Sequence, residues 1–343
     1  MAEQISRLSL FPSTTGVNDQ GHLMIGGCDT VELAAEFGTP LYLFDELSLR
    51  SKCAEFKAEF GRRYNDIIVL YSCKAFTNKA LTVIFMEEGL GLDVVSGGEI
   101  GIVRSAGFSM DRVYFAGNNK SAEELILALE SGVGRIVVDN FHELGMLGEI
   151  TKEKGYTPSI WLRLTPGVDP HTHRHIITGN VDSKFGIPLV LGEEAVTTAM
   201  SMPELNLLGL HFHIGSQIDE TEPYQRAIET ILDFAADMKQ KHGFELKEMS
   251  VGGGYAIQYT LDSPVPPIST YAEVITSTII SQCRKLEMLL PQLIVEPGRS
   301  VVGQAGVALY EVGVVKDIPG VRCYVSVDGG YYRPYRRPPK HST

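Results

Sequence analysis

Apolar runs of strand length recur along most of this chain at regular intervals, separated by segments with one apolar face. The strand-like runs are Ile67–Tyr71, Leu92–Val95, Val113–Ala116, Arg135–Val138, Ile160–Leu164, Leu207–Phe212, Met249–Val251 and Leu293–Val295. Their near-continuous hydrophobicity predicts strands buried on both faces, as in a parallel sheet covered by helices. Between them the period changes to that of a helix. Ile228, Ile231, Leu232, Ala235 and Met238 mark one helical face, Ser121-Ala122-Glu123-Glu124 has the form of a helix-start box, and a helix is expected over about Asn78 to Glu88. Eight such units predict an α/β fold of the (β/α)8 TIM-like barrel kind, with a doubly wound open sheet as the alternative. Leu41–Phe44 is a ninth apolar run, so the count of eight depends on leaving it out.

The two ends break this rhythm. Residues 1–40 mix turn glycines with short β-like pieces such as His22-Leu23-Met24-Ile25, which reads as an arm that pairs with something distant. After residue 300 the helices stop. Val301–Val302, Val307–Val315 and Val321–Val327 read as consecutive strands, followed by a basic, Pro-rich tail from Tyr331 that does not suit a sheet interior. The expected organisation is an N-terminal arm, 1–40, that contributes to a β domain, then a barrel, 41–300. An incomplete C-terminal all-β domain with its tail, 301–343, ends the chain.

Composition narrows the partners. A net charge of −12 over 343 residues argues against nucleic acid or an anionic membrane surface, and no apolar run is long enough to span a bilayer. Five cysteines, with no CxxC pair, suit a reducing compartment, so a cytoplasmic location is expected.

In a barrel the catalytic groups stand at the carboxyl ends of the strands. Those ends carry Lys74, Asp93 with Glu99, Asn118, Asp139, Arg163, His213 with Ser216, Gly252-Gly253-Gly254, and Glu296-Pro297-Gly298-Arg299. The other ends of the same strands are comparatively plain. A desolvated lysine where a strand gives way to a loop can act as a nucleophile, although a loop lysine is more commonly just solvated. Three glycines after a strand let backbone N–H groups approach an anion, or simply form a tight turn; Arg299 could supply a matching cation. Glu296 on a stiff Pro-Gly turn could keep a heterocyclic nitrogen protonated, or pair with an arginine. His211-Phe212-His213 has the alternation of a zinc site, as do His171, His173 and His175, which keeps a metal-dependent barrel hydrolase as a rival. The HxH pair, however, falls on the sixth strand, whereas such hydrolases carry it on the first. An anion site, a ring-facing histidine, a carboxylate for a ring nitrogen and a nucleophilic lysine together suit pyridoxal 5′-phosphate.

The motifs Tyr71-Ser72-Cys73-Lys74-Ala75, Leu92-Asp93-Val94-Val95-Ser96-Gly97-Gly98-Glu99, Gly117-Asn118-Asn119-Lys120-Ser121, Asp182-Ser183-Lys184-Phe185-Gly186, His211-Phe212-His213-Ile214-Gly215-Ser216-Gln217, Val251-Gly252-Gly253-Gly254 and Glu296-Pro297-Gly298-Arg299 occur in one order. By these the chain resembles the barrel-type, alanine-racemase-like pyridoxal phosphate-dependent decarboxylases from about residue 10 to Gly330. The Asp182–Gly186 and His211–Gln217 segments favour the diaminopimelate branch over the related ornithine and arginine decarboxylases. The resemblance implies decarboxylation of meso-2,6-diaminopimelate to L-lysine and CO2 in lysine biosynthesis, by a homodimer whose active sites are shared when the β domain is complete. Carried over by motif, Lys74 and His213 are the catalytic pair. Lys74, Asp93, Arg163, His213, Ser216, Gly253, Gly254, Glu296, Pro297, Gly298 and Arg299 hold the cofactor, Arg299 also meets the small amino-acid substrate, and no metal is involved. After Gly330 the sequence departs from the family: no Cys-Glu pair and no closing tyrosine follow, and Arg336 lacks matching neighbours. A weakly active or non-catalytic cofactor-binding remnant is therefore also weighed.

Overall fold

The computed structural model describes residue 8 and residues 10–168 and 183–330. His171, His173, His175, Asp182 and the tail from Tyr331, with Arg336, lie outside the described residues. The chain divides into two compact units, one of residues 49–303 and one of residues 1–48 with 304–343.

The larger unit is a closed parallel barrel. Its strands are β1 (Ile67–Ser72), β2 (Gly91–Val94), β3 (Val113–Phe115), β4 (Arg135–Val138), β5 (Ser159–Thr165), β6 (Asn206–His211), β7 (Glu248–Ser250) and β8 (Gln292–Val295). Each pairs in parallel with the next, and β8 returns to β1 through Leu293 opposite Ile67, Ile294 opposite Ile68 and Val295 opposite Val69. That closure excludes the open sheet. A two-residue strand, Ile187–Pro188, adds to the far end of β5.

The strands are apolar on both faces because both are covered. Inside, Leu70, Tyr114, Ala116, Val137, Trp161 and Ile294 form the barrel core, with Ile68, Val95 and Leu208 packed on it. Outside, the neighbouring residue of the alternation faces a helix: Tyr71 stacks on Phe85 at 3.9 Å between ring centroids. Alternation along β1 thus sends Ile68, Leu70 and Ser72 inward and ends at Lys74, in a single 3-10 turn.

Helix starts follow the local chemistry. Asn78 caps Lys79–Glu87, and the Ser121/Glu124 box is formed at Ala122–Ser131. In Glu222–His242 the five residues of the expected apolar face are all buried.

In the smaller unit, Leu41–Phe44 pairs antiparallel with Gly306–Leu309, so the ninth apolar run belongs outside the barrel. Gly16–Val17, Leu23–Ile25 and Cys28–Asp29 form a small meander, and Val312–Ile318 pairs with Arg322–Val327. Val301–Val302, expected as strand, instead lies in a buried helical turn, Arg299–Val302, of the barrel unit. The Gly298 carbonyl accepts from Val301 and Val302 N–H and closes that turn, outweighing the strand preference of two valines. The run Val307–Val315 is likewise interrupted, between Leu309 and Val312.

Candidate active site

The carboxyl ends of the strands surround a cavity of about 680 Å³ whose lining includes Lys74, Arg163, His211, His213, Ser216 and Glu296, with Asn118, Lys184 and Phe185 toward the mouth. Its size suits a cofactor together with a small substrate.

The loop after β1 is stitched to the loop after β8. Ser72 N–H donates to the Pro297 carbonyl at 3.0 Å, and Ser72 Oγ lies 3.2 Å from the Glu296 carbonyl. A side chain at Gly298 would press on Ser72 and Ala75. Pro297 and Gly298 therefore act through backbone shape, which places Lys74 and Glu296 on one wall.

Lys74 Nζ donates to Asp93 Oδ2 at 3.1 Å, and Ser72 Oγ donates to the same oxygen at 2.9 Å. The Asp93 charge, opposed by burial, holds the Lys74 ammonium above its ordinary value. Burial pushes the Asp93 carboxyl up, against the pull of Lys74. Desolvation alone would have loosened the lysine proton, as the sequence suggests; the buried carboxylate beside it reverses the sign. The amine is stored as an ammonium whose proton points at Asp93.

Glu296 is buried, with Oε1 accepting from Ser250 Oγ at 2.6 Å and Oε2 lying 3.2 Å from His211 Nε2. Burial opposes its ionisation, but His211, Lys74 and Ser250 outweigh that and bring it down to about 2. His213 Nδ1 accepts from Gly253 N–H at 3.2 Å. Burial first, then the Lys74 and Arg163 charges, push the imidazolium of His213 down to about 3, so the ring is uncharged near neutral pH.

The glycine turn differs from a row of three free donors. Gly252 N–H is taken by Ser250 Oγ and Gly253 N–H by His213, which leaves the Gly254 N–H without a partner among the described residues. Gly254 has φ +101, and a Cβ there would meet the Gly215 carbonyl oxygen at 2.5 Å; a Cβ on Gly253 would overlap the Glu296 carbonyl. Both must be glycine for β6, β7 and β8 to close their tops together.

Arg163 lies over the Phe185 ring at 4.7 Å, with Nη1 3.7 Å from Asp139 Oδ1, and its burial makes the guanidinium easier to deprotonate than usual. Arg299 is exposed and outside the cavity lining. Its Nη1 donates to Tyr259 Oη at 2.6 Å.

The structure thus gathers Lys74, Arg163, His213, Ser216 and Glu296 around one space, joins Asp93 and Gly253 to them by hydrogen bonds, and leaves Arg299 at the rim. The sequence reading singled out neither Ser72, Ser250 nor Tyr259, and saw His211 only as half of a zinc-like pair. A signal existed for two of them: Ser72 and His211 are polar residues at the last position of a mostly apolar strand. As for metal, the described residues contain no group of three or more His, Cys, Asp or Glu side chains placed to hold an ion.

A barrel with an amine, a buried carboxylate and a neutral imidazole around one cavity defines a site of the pyridoxal-dependent type. The pyridoxal binding domain model of the pyridoxal-dependent decarboxylases matches residues 46–303, and the chain belongs to that family, in its diaminopimelate decarboxylase branch. It is 45% identical to the diaminopimelate decarboxylase of Halalkalibacterium halodurans over 93% of this chain and 73% of that one. The Bacillus subtilis enzyme of the same name is 44% identical, over 92% and 73%. A crystal structure of diaminopimelate decarboxylase from M. jannaschii superposes with a TM-score of 0.86 at 35% identity, covering 92% of this chain and 73% of that one.

Proposed function

We propose that this chain decarboxylates meso-2,6-diaminopimelate to L-lysine and CO2, with pyridoxal 5′-phosphate as its cofactor. The observation that carries the reading is the Lys74 amine and the buried Glu296 carboxylate on one cavity wall, each with its own proton-holding partner. Family membership and the named relatives supply the substrate; a M. jannaschii relative is known in complex with L-lysine.

The donor set fits the cofactor. Lys74 would attach to its aldehyde carbon, Glu296 would face the ring nitrogen, and the uncharged His213 would lie against the ring. Gly254 N–H and Ser216 would meet the phosphate, and Gly253 would take part by fixing His213. When bound, pyridoxal phosphate supplies a conjugated ring that takes up the electron pair left as CO2 departs. The residues of this chain provide the rest. Glu296, ionised and held on both oxygens, would keep a proton on the cofactor's ring nitrogen and so preserve the ring's appetite for electrons. Asp93 holds the Lys74 proton at Oδ2 until the amine is needed. Arg163, anchored near Asp139 and Phe185, would set positive charge on the cavity wall toward an anionic group of the bound cofactor. Arg299 with Tyr259 stands at the rim, where the far end of an extended substrate would arrive.

The same reading takes residues 1–48 with those from 304 onward as one β-rich domain, distinct from the 49–303 barrel. It also takes the active form as a homodimer with shared sites, which rests on family resemblance and is checked by light scattering of the purified chain. A cytoplasmic location is supported by five free cysteines; among the described residues no helix is long and apolar enough to cross a membrane.

The test is to load the chain with pyridoxal phosphate, fix it with borohydride and map the label by mass spectrometry, alongside CO2 release from meso-diaminopimelate. The label should fall on Lys74, and Lys74→Ala should lose both label and turnover, the latter by about a thousandfold or more. A label elsewhere, or turnover that survives the substitution, refutes the assignment.

A further inference from the structure

The roles above leave His211 without one, although it closes strand β6, is buried and lines the cavity. Among the described residues, His211 and Ser250 alone hydrogen-bond the Glu296 carboxylate, one on each oxygen. Nδ1 of His211 is buried and has no hydrogen-bond partner among the described residues. Buried N–H groups are orphaned less often than bare acceptors, so the ring proton is assigned to Nε2, between the imidazole and Glu296 Oε2.

We propose that His211 is a positioning residue for Glu296: by donating from Nε2 it locks the carboxylate in one orientation, as an anion, ready to hold a proton on the cofactor's ring nitrogen. The inference rests on the reading that Glu296 faces that nitrogen. The alternatives to His211 are few. Lys74 and Arg163 favour the anion from a distance, with Lys74 already engaged by Asp93. Asp93 opposes it. His213 and Tyr255 also face Glu296, but the first is uncharged near neutral pH and burial keeps the second a neutral phenol. Without its two hydrogen bonds, a carboxylate this deeply buried drifts toward the neutral acid, which cannot stabilise a protonated ring nitrogen.

The experiment loads the full chain with pyridoxal phosphate labelled with nitrogen-15 in the ring and follows the nitrogen chemical shift against pH. In the wild type the nitrogen should stay protonated through neutral pH. His211→Met, similar in size but without a donor, should lower the pH at which that proton is lost by about one unit or more. His211→Gln, whose amide nitrogen can reach the position of Nε2, should restore it to within a few tenths. If Met does not fold, His211→Asn, whose shorter amide cannot reach Oε2, takes its place with the same expected shift. Equal behaviour of Gln and the donor-lacking variant, shifted or unshifted, overturns the proposal, because a space-filling role treats them alike. Glu296→Gln separates the two layers: if it leaves the nitrogen shift unchanged, the ring nitrogen does not meet Glu296 and the underlying reading fails, whatever His211 does.

Discussion

Both ends of this barrel bury charge, and they treat it in opposite ways. At the amino ends of the strands, Arg135 grips Glu248 through two nitrogens, at 2.6 and 2.8 Å, and Trp161 Nε1 donates to Glu248 Oε2 at 2.6 Å. Both carboxylate oxygens are occupied and the cluster is closed. At the carboxyl ends, Asp139 Oδ1 and His211 Nδ1 are buried with no hydrogen bond and Gly254 N–H has no partner among the described residues, and Lys74 reaches into open space with a side chain 47% exposed. A closed ion pair staples strands; an open set keeps capacity for a ligand. Polarity at strand ends therefore does not mark a site by itself. Unspent hydrogen-bonding capacity does.

Substitutions at the two ends should separate stability from activity. The largest effect is expected at the closed end. Glu248→Leu strands Arg135 and the Trp161 N–H, which should cost about 3 kcal/mol or more of stability in denaturant melts while the surviving folded fraction keeps its turnover. An equal loss of activity per folded molecule would erase the contrast between the ends.

Next comes Glu296→Gln at the open end. It should lower kcat at full cofactor loading by about a hundredfold while shifting the melting temperature little. A large stability loss with normal kcat would make Glu296 another staple.

The smallest effect sharpens the comparison through pH. The buried His213 has its pKa pushed below the ordinary value of 6.5, to about 3. In that window the unfolded chain binds a proton that the folded chain refuses. Stability is lost as pH falls from about 6.5 toward 3, by at most about 1.4 kcal/mol per pH unit from this group. His213→Phe should flatten that part of the cofactor-free stability profile, and an unchanged slope would mean that His213 is not held neutral.

Much of the scaffold could be read without coordinates. Each of the eight barrel strands lies within two residues of its expected bounds, because a strand buried on both faces leaves an uninterrupted apolar run. The Ser121 box and the Ile228–Met238 face are local signals of the same kind, set by neighbours within a turn or two. Lys74, His213 and Glu296 were visible for a related reason: a polar residue at the end of an apolar strand has few places to point but the barrel mouth. The plain appearance of the opposite ends was misleading, since Arg135 and Glu248 are 113 positions apart and only closure of the barrel makes them a pair.

What the chain's own sequence determined, then, is whatever depends on short-range periodicity: the alternation of strands and helices, the caps, and the residue types offered at the strand ends. The tertiary structure alone decided how those residues spend their bonds. Leu41–Phe44 finds Gly306–Leu309 rather than the barrel; two of the three glycine N–H groups are spent on Ser250 and His213; Arg299 turns to Tyr259 at the rim; and Asp93 makes Lys74 an ammonium where burial alone would have freed its proton. Except for the Gly252–Ser250 bond, which closes within the turn, each of these is settled by partners more than fifteen positions away. Hydrogen bonds and charges act over a few ångströms, and only folding sets which groups come that close.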